Sequence, residues 1–167
     1  MLLVYTGHGK GKTSACVGQA ARAHGHGLRV CFAQFMKRPN RAGEQKVLAG
    51  LLGQGFYAGG KGFFRKKEAR EEHRQAVLDV LGWAENALPE ADLLVLDESL
   101  YALGSGLLLE EELRRIIALA KQRGTHLVLS GRGLPDWLRR EADMITEMGE
   151  IKHPFAEGRT ALKGIEF

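Results

Sequence analysis

The chain has 167 residues, 24 Lys plus Arg against 20 Asp plus Glu, and a formal net charge of +4. That length suits one domain over residues 1–167, and 44% apolar with 26% charged residues is ordinary globular composition, which excludes disordered and collagen-like chains. No apolar run approaches the roughly 18 residues of a membrane-spanning helix, and Met1-Leu2-Leu3-Val4-Tyr5 lacks the basic start of a signal peptide.

In chain order, Leu2-Leu3-Val4-Tyr5-Thr6 reads as a buried strand, and the glycine-rich stretch after it opens a helix over 13–24 that Gly25 and Gly27 end. A second strand is predicted over 29–35, then a short helix over 44–52 and a weak strand over 56–58. The helix predicted over 66–88 carries Ala76, Val77, Val80, Leu81, Ala84 and Leu88 on one face at the 3.6-residue period. Leu93-Leu94-Val95-Leu96 is the most continuous apolar run, as in a central parallel strand covered on both faces. A helix over 110–123 has acids in its first turn, bases in its last and Gly124 beyond, all complementing the helix dipole or its C-terminal geometry. Leu127-Val128-Leu129, a helix started by Pro135 and a strand at Met144-Ile145-Thr146 complete an α/β alternation, which means a mostly parallel sheet. Cys16 and Cys31 lack metal-ligand spacing and read as buried thiols of a reducing cytoplasm. Glycine is the unusual residue, 22 in all with thirteen before residue 63, so the first part of the chain needs close backbone approach or positive φ.

Gly7-His8-Gly9-Lys10-Gly11-Lys12-Thr13-Ser14 follows a strand and opens a helix, the context of a phosphate-binding loop. Lys12 would place a point charge on phosphates and Thr13 a hydroxyl on Mg²⁺. Thr6 stands where the first glycine of the usual G-x-x-x-x-G-K-[ST] pattern belongs, so the loop is one residue shorter. Asp97 and Glu98 leave the buried strand at the sheet edge where ligands bind; one carboxylate could hold Mg²⁺ and the other its water shell, or the acids could cap the next segment of chain. Arg132, in Ser130-Gly131-Arg132-Gly133 at the same edge, could reach phosphates as a planar donor fork or face solvent. Lys37, Arg38, Arg41, Lys46, Lys61, Arg65, Lys66, Lys67 and Arg70 interleave with Glu44, Glu68, Glu71 and Glu72, which reads as a solvated rim around an anion site rather than a nucleic-acid surface. Phe63-Phe64 follows a glycine run, and taken alone the pair reads as a loop anchored into the core.

With these residues in view the chain resembles the P-loop type of ATP:corrinoid adenosyltransferases over essentially its whole length. The resemblance runs through residues 5–13, Ala20-Ala21-Arg22-Ala23, Gly25-His26-Gly27, Gln34-Phe35-x-Lys37, Gly43-Glu44, Gly62-Phe63, Val95-Leu96-Asp97-Glu98 and Tyr101. It continues in residues 130–133, Ala142-Asp143, Lys152-His153-x-Phe155 and Gly164-Ile165-Glu166-Phe167. It implies a P-loop NTPase-like three-layer α/β/α fold and transfer of the 5′-deoxyadenosyl group of ATP to the cobalt of a reduced corrinoid, with triphosphate released. ATP would lie in the reverse sense along Gly7, His8, Gly9, Lys10, Gly11, Lys12, Thr13 and Ser14, with Arg132 beside it. Thr13 with Asp97 or Glu98 would serve Mg²⁺, and Lys12, Phe63 and Glu98 would be catalytic. Phe63 matches an aromatic residue that displaces the lower axial ligand of cobalt. His8 stands where asparagine is common and Arg65 where tryptophan is, so Phe64 is the candidate to stand in for the tryptophan. The chain also begins at its first strand, without the N-terminal segment that helps cover the site in longer members. The resemblance further implies a cytoplasmic homodimer with a flavoprotein-type reductant, without nucleic-acid or membrane partners. Two rivals stand beside this reading: a P-loop ATPase or small-molecule kinase using Asp97 and Glu98 as metal ligand and base, and a nucleotide or corrinoid carrier without turnover, which the absent N-terminal segment and Arg65 raise.

Overall fold

Helices and strands alternate along the computed structural model, which describes residues 1–64, 69–154, 158 and 160–165. Arg65, Lys66, Lys67 and Glu68 of the charged rim, the predicted helix start at residue 66, and Phe155, Glu166 and Phe167 of the family-like motifs lie outside the described residues. The elements are β1 (Leu2–Thr6), α1 (Lys12–Gly25), β2 (Val30–Gln34), α2 (Gly43–Leu52), β3 (Phe56–Ala58), α3 (Arg70–Ala87), β4 (Leu93–Asp97), α4 (Ser99–Gly104), α5 (Glu110–Arg123), β5 (His126–Ser130), α6 (Asp136–Glu141) and β6 (Met144–Glu147).

The strands form one sheet in the order β3-β2-β4-β5-β1-β6, and every pairing is parallel. A parallel strand is stable only when both faces are covered, and β4 is buried at all five positions. Its alternation divides the core into two layers. Leu94 and Leu96 meet Val77, Val80 and Leu81 of α3 and Leu113 and Ile116 of α5. Leu93 and Val95 face the other way, toward Cys16 and Ala20 of α1 and Leu48 of α2. The result is the three-layer α/β/α arrangement expected. Among the described residues no helix is long and apolar enough to cross a membrane.

Two elements depart from the periodicity reading. The third long helix ends at Ala87, and Leu88–Glu90 continue as a single 3₁₀ turn, because Pro89 has no N–H and its ring collides with the preceding turn. α4 has only six residues, too few to display a period, and begins directly after Glu98, the residue that follows β4 and adopts a left-handed φ of 62°. The loops that leave β1, β2, β4 and β5 all open at one sheet edge, the edge where parallel α/β sheets bind ligands.

Candidate active site

The loop after β1 is held from behind by the residues that follow β6. Gly9 N donates to the Met148 carbonyl oxygen at 2.8 Å, and a Cβ on Gly9 would lie 2.6 Å from the Gly149 carbonyl oxygen. Gly11, at φ 118°, turns the chain into α1, whose first turn makes no side-chain cap hydrogen bond. Its leading N–H groups are therefore available to an anion in the cleft. Lys12 is buried beneath the loop, with Nζ donating to the carbonyl oxygens of Gly7 at 2.9 Å and Gly9 at 2.7 Å. Burial lowers its pKa; the Glu98 carboxylate opposes that shift and Arg132 reinforces it.

Asp97 has no exposed surface and collects donors from three other segments. Its Oδ1 accepts from Ser130 Oγ at 2.7 Å and from Thr13 Oγ1 at 3.1 Å, and its Oδ2 accepts from Gln34 Nε2 at 3.0 Å. Gln34 is oriented in turn by Gln45, whose Nε2 donates to Gln34 Oε1 at 2.8 Å. Lys37 Nζ donates to Thr13 Oγ1 at 3.2 Å and to Glu44 Oε1 at 2.5 Å, and lies 3.8 Å from Asp97 Oδ2. Burial would raise the Glu44 pKa, but hydrogen bonding and charge from Lys37 outweigh it and hold the carboxyl below its ordinary value. Lys37 and Glu44 are thus a half-buried ion pair inside the site, which corrects their reading as solvated rim. Gln34, Gln45 and Ser130 had no assigned role. The available signal was a glutamine closing an otherwise apolar strand, a position that burial tolerates only with partners.

Glu98 donates its backbone N–H to Ser130 Oγ at 3.0 Å and lines the cleft. Burial and the neighbouring Asp97 raise its pKa, against the lowering effect of Lys12, Lys37 and Arg132. Arg132 reaches the loop, with Nη2 donating to the His8 carbonyl oxygen at 3.1 Å. The predicted residues His8, Lys10, Lys12, Thr13, Ser14, Glu98 and Arg132 therefore share one cleft. Mg²⁺ takes hard oxygen donors, one or two from protein and the rest from phosphates and water. The Thr13 hydroxyl and the Glu98 carboxylate fit that donor set. Asp97 does not line the cleft, and its oxygens already serve Ser130, Gln34 and Thr13, which suits it to orienting Thr13 rather than to direct ligation. Among the described residues no group of three or more His, Cys, Asp or Glu could hold a metal ion.

Another part of the cleft wall is aromatic. Phe63 is 51% exposed, and its ring lies 5.0 Å from that of Tyr101 at 74° between planes. Phe64 turns away, packing on the core with its ring 5.5 Å from His73 and 5.8 Å from the Arg70 guanidinium. Phe64 is therefore the anchor of the loop and Phe63 the residue presented to the cleft, which removes Phe64 as a substitute for the tryptophan. The cleft has a volume of about 1280 Å³, more than the roughly 300–1,000 Å³ of a typical small-ligand pocket.

A parallel sheet whose first strand passes through a glycine-rich loop into an uncapped helix, beside a buried aspartate at a strand end, defines a P-loop nucleotide-binding protein. The flagellar accessory protein FlaH from Methanocaldococcus jannaschii shares that fold, with a TM-score of 0.50 at 12% identity over 87% of this chain and 69% of that one. The chain belongs to the family of ATP:corrinoid adenosyltransferases BtuR/CobO/CobP, whose pattern matches residues 1–167. A corrinoid adenosyltransferase of Pseudomonas aeruginosa is 36% identical over 174 residues, spanning 100% of this chain and 83% of that protein. The corrinoid adenosyltransferase CobA of Salmonella typhimurium is 34% identical over 171 residues, spanning 100% and 85%.

Proposed function

We propose how this cleft carries out the activity of its family, transfer of the 5′-deoxyadenosyl group of ATP to the cobalt of a corrinoid. The triphosphate lies along residues 7–14, within reach of Lys12, Ser14 and Arg132, and the corrinoid lies against Phe63. The observation that carries this reading is the pairing of two unlike walls in one cleft, an uncapped helix start with cationic side chains and an exposed aromatic ring. A bound Mg²⁺ supplies charge neutralisation on the phosphates, and Thr13 and Glu98 are the residues that would hold it.

Co(I) attacks the ribose C5′, a Co–C bond forms, and the C5′–O bond breaks with its electron pair leaving on triphosphate. Co(I) carries no proton, so no general base is required. The protein contributes orientation, preorganised positive charge for the leaving group and exclusion of water. Lys12 is suited to the second of these because it is already desolvated and costs little to reorganise. The family resemblance implies a triphosphate running in the reverse sense along this short loop, which would bring C5′ rather than the γ-phosphate toward the aromatic wall. Phe63 excludes water and a nitrogen ligand from the lower face of cobalt and so makes Co(II) easier to reduce. In this reading the electron comes from a flavoprotein-type reductant, and the enzyme acts as a cytoplasmic homodimer. Product analysis with ATP and chemically reduced corrinoid tests the whole scheme. Intact triphosphate with a new Co–C bond is expected, whereas ADP as the main product would identify a kinase or ATPase.

A further inference from the structure

Phe63 lies in a loop whose base is secured without help from its ring. Arg38 Nε donates to the Lys61 carbonyl oxygen at 2.6 Å, and Gly62 N donates to the Met36 carbonyl oxygen at 2.8 Å. Gly62 takes φ 95°, a conformation open to glycine, and Phe64 anchors the far side on α3. The backbone is held on both sides of Phe63, whereas its side chain is half exposed and lines the cleft, so the main chain alone does not set its rotamer. Among the described residues, Tyr101 is the one aromatic ring it meets. Tyr101 also sends its hydroxyl toward the Phe64 carbonyl oxygen at 3.4 Å, so one side chain touches both members of the pair. Tyr101 is itself firmly seated. It sits in the first turn of α4, between buried Leu100 and Ala102, and a Cβ on Gly131 would lie 2.7 Å from its backbone nitrogen.

We propose that Tyr101 is a positioning residue for Phe63: its ring, set nearly perpendicular at 5.0 Å, fixes the rotamer in which Phe63 presents itself to the corrinoid. This rests on the reading of Phe63 as the aromatic that empties the lower face of cobalt. Edge-to-face pairs are favoured by the opposed charge distributions of ring face and ring edge, so the interaction selects an angle as well as a distance. An aliphatic side chain of similar size would fill the space without selecting the angle. α4 follows Asp97 and Glu98 directly, so the phosphate wall and the aromatic wall are tied together by a short stretch of chain.

The test uses the full-length protein with saturating Mg·ATP and Co(II) cobalamin, reading the four-coordinate Co(II) spectral signature. Tyr101→Leu should lower the four-coordinate fraction about three- to tenfold, the size of one aromatic pair, with the KM for ATP unchanged. Tyr101→Phe should restore most of the signal, because it keeps the ring and loses only the long hydroxyl contact. Supplying cobalt already reduced to Co(I) should return the activity of Tyr101→Leu. In a Phe63→Ala background, Tyr101→Leu should add no further loss. A Phe63→Ala protein with an unchanged signal would overturn the reading of Phe63, and this proposal with it. Loss in Phe63→Ala together with a normal signal in Tyr101→Leu would overturn the role of Tyr101 alone. Additive losses in the double variant, or an equal loss with Co(I), would assign Tyr101 to general support of the fold and overturn its positioning role.

Discussion

The two walls of the cleft are built on opposite principles. On the phosphate side, Lys12, Thr13, Lys37, Glu44 and Asp97 are all partnered within the protein, and the buried aspartate alone joins donors from α1, β2 and β5. On the aromatic side, Phe63 has half of its surface exposed and rests against one ring. Charge must be in place before it is useful, because moving a desolvated ion during a reaction costs more than the ion contributes. A flat hydrophobic partner can be accommodated by a surface that is held at its base and open at its tip.

That contrast breaks first at Asp97. Asp97→Ala should cost about 3 kcal/mol of stability, because Ser130, Gln34 and Lys37 would be left facing an empty buried site. Urea unfolding checks this, and a loss under about 1 kcal/mol would mean that water readily replaces the carboxylate. Lys12→Ala should lower kcat by about 10²-fold or more while corrinoid affinity changes far less. Near-normal turnover at saturating ATP would reduce Lys12 to a support for the loop carbonyls. Phe63→Ala belongs to the other wall. Turnover from Co(II) should fall about tenfold, the scale of losing one aromatic contact, with ATP binding and thermal stability close to those of the parent.

The smallest effect has the opposite sign for stability. The raised pKa of Glu98 means that the folded protein holds this proton more tightly than the unfolded chain. Its contribution to stability is fully present below the ordinary glutamate value of about 4.3 and is lost as pH rises through the raised value. Glu98→Gln removes that loss, so the variant should melt slightly above the parent at neutral pH, with the difference shrinking as pH falls. Activity should drop in the same variant. A lower melting temperature at pH 7 would show that Lys12, Lys37 and Arg132 more than offset the burial.

The phosphate wall was also the more legible in the sequence. β1, its loop and α1 form one continuous local pattern, and helix Glu110–Arg123 matches its prediction to the residue because charges and a glycine mark both ends. The acids after β4 were visible for the same reason. Lys37 and Glu44 were misread because bases and acids alternating in sequence look like a solvated surface; only the turn between β2 and α2 folds the pair inward against Thr13. Phe63 and Phe64 are adjacent in a loop without a period, so nothing local distinguishes the residue that anchors from the residue that projects. The distinction comes from α3, further along the chain, which supplies His73 and Arg70 to Phe64 alone.

The contact between Gly9 and Met148 has a consequence for how the protein is made. The nucleotide loop precedes in sequence, by a long stretch, the strand that backs it, with Met148 N donating to the Thr6 carbonyl oxygen at 2.9 Å, so it is synthesised well before its support. A nascent chain released before β6 would carry the complete glycine-rich motif on a loop with no floor. Closing contacts over such long sequence separations is slow. Competence to bind ATP therefore waits on the synthesis of β6, and the nucleotide reports on a finished sheet.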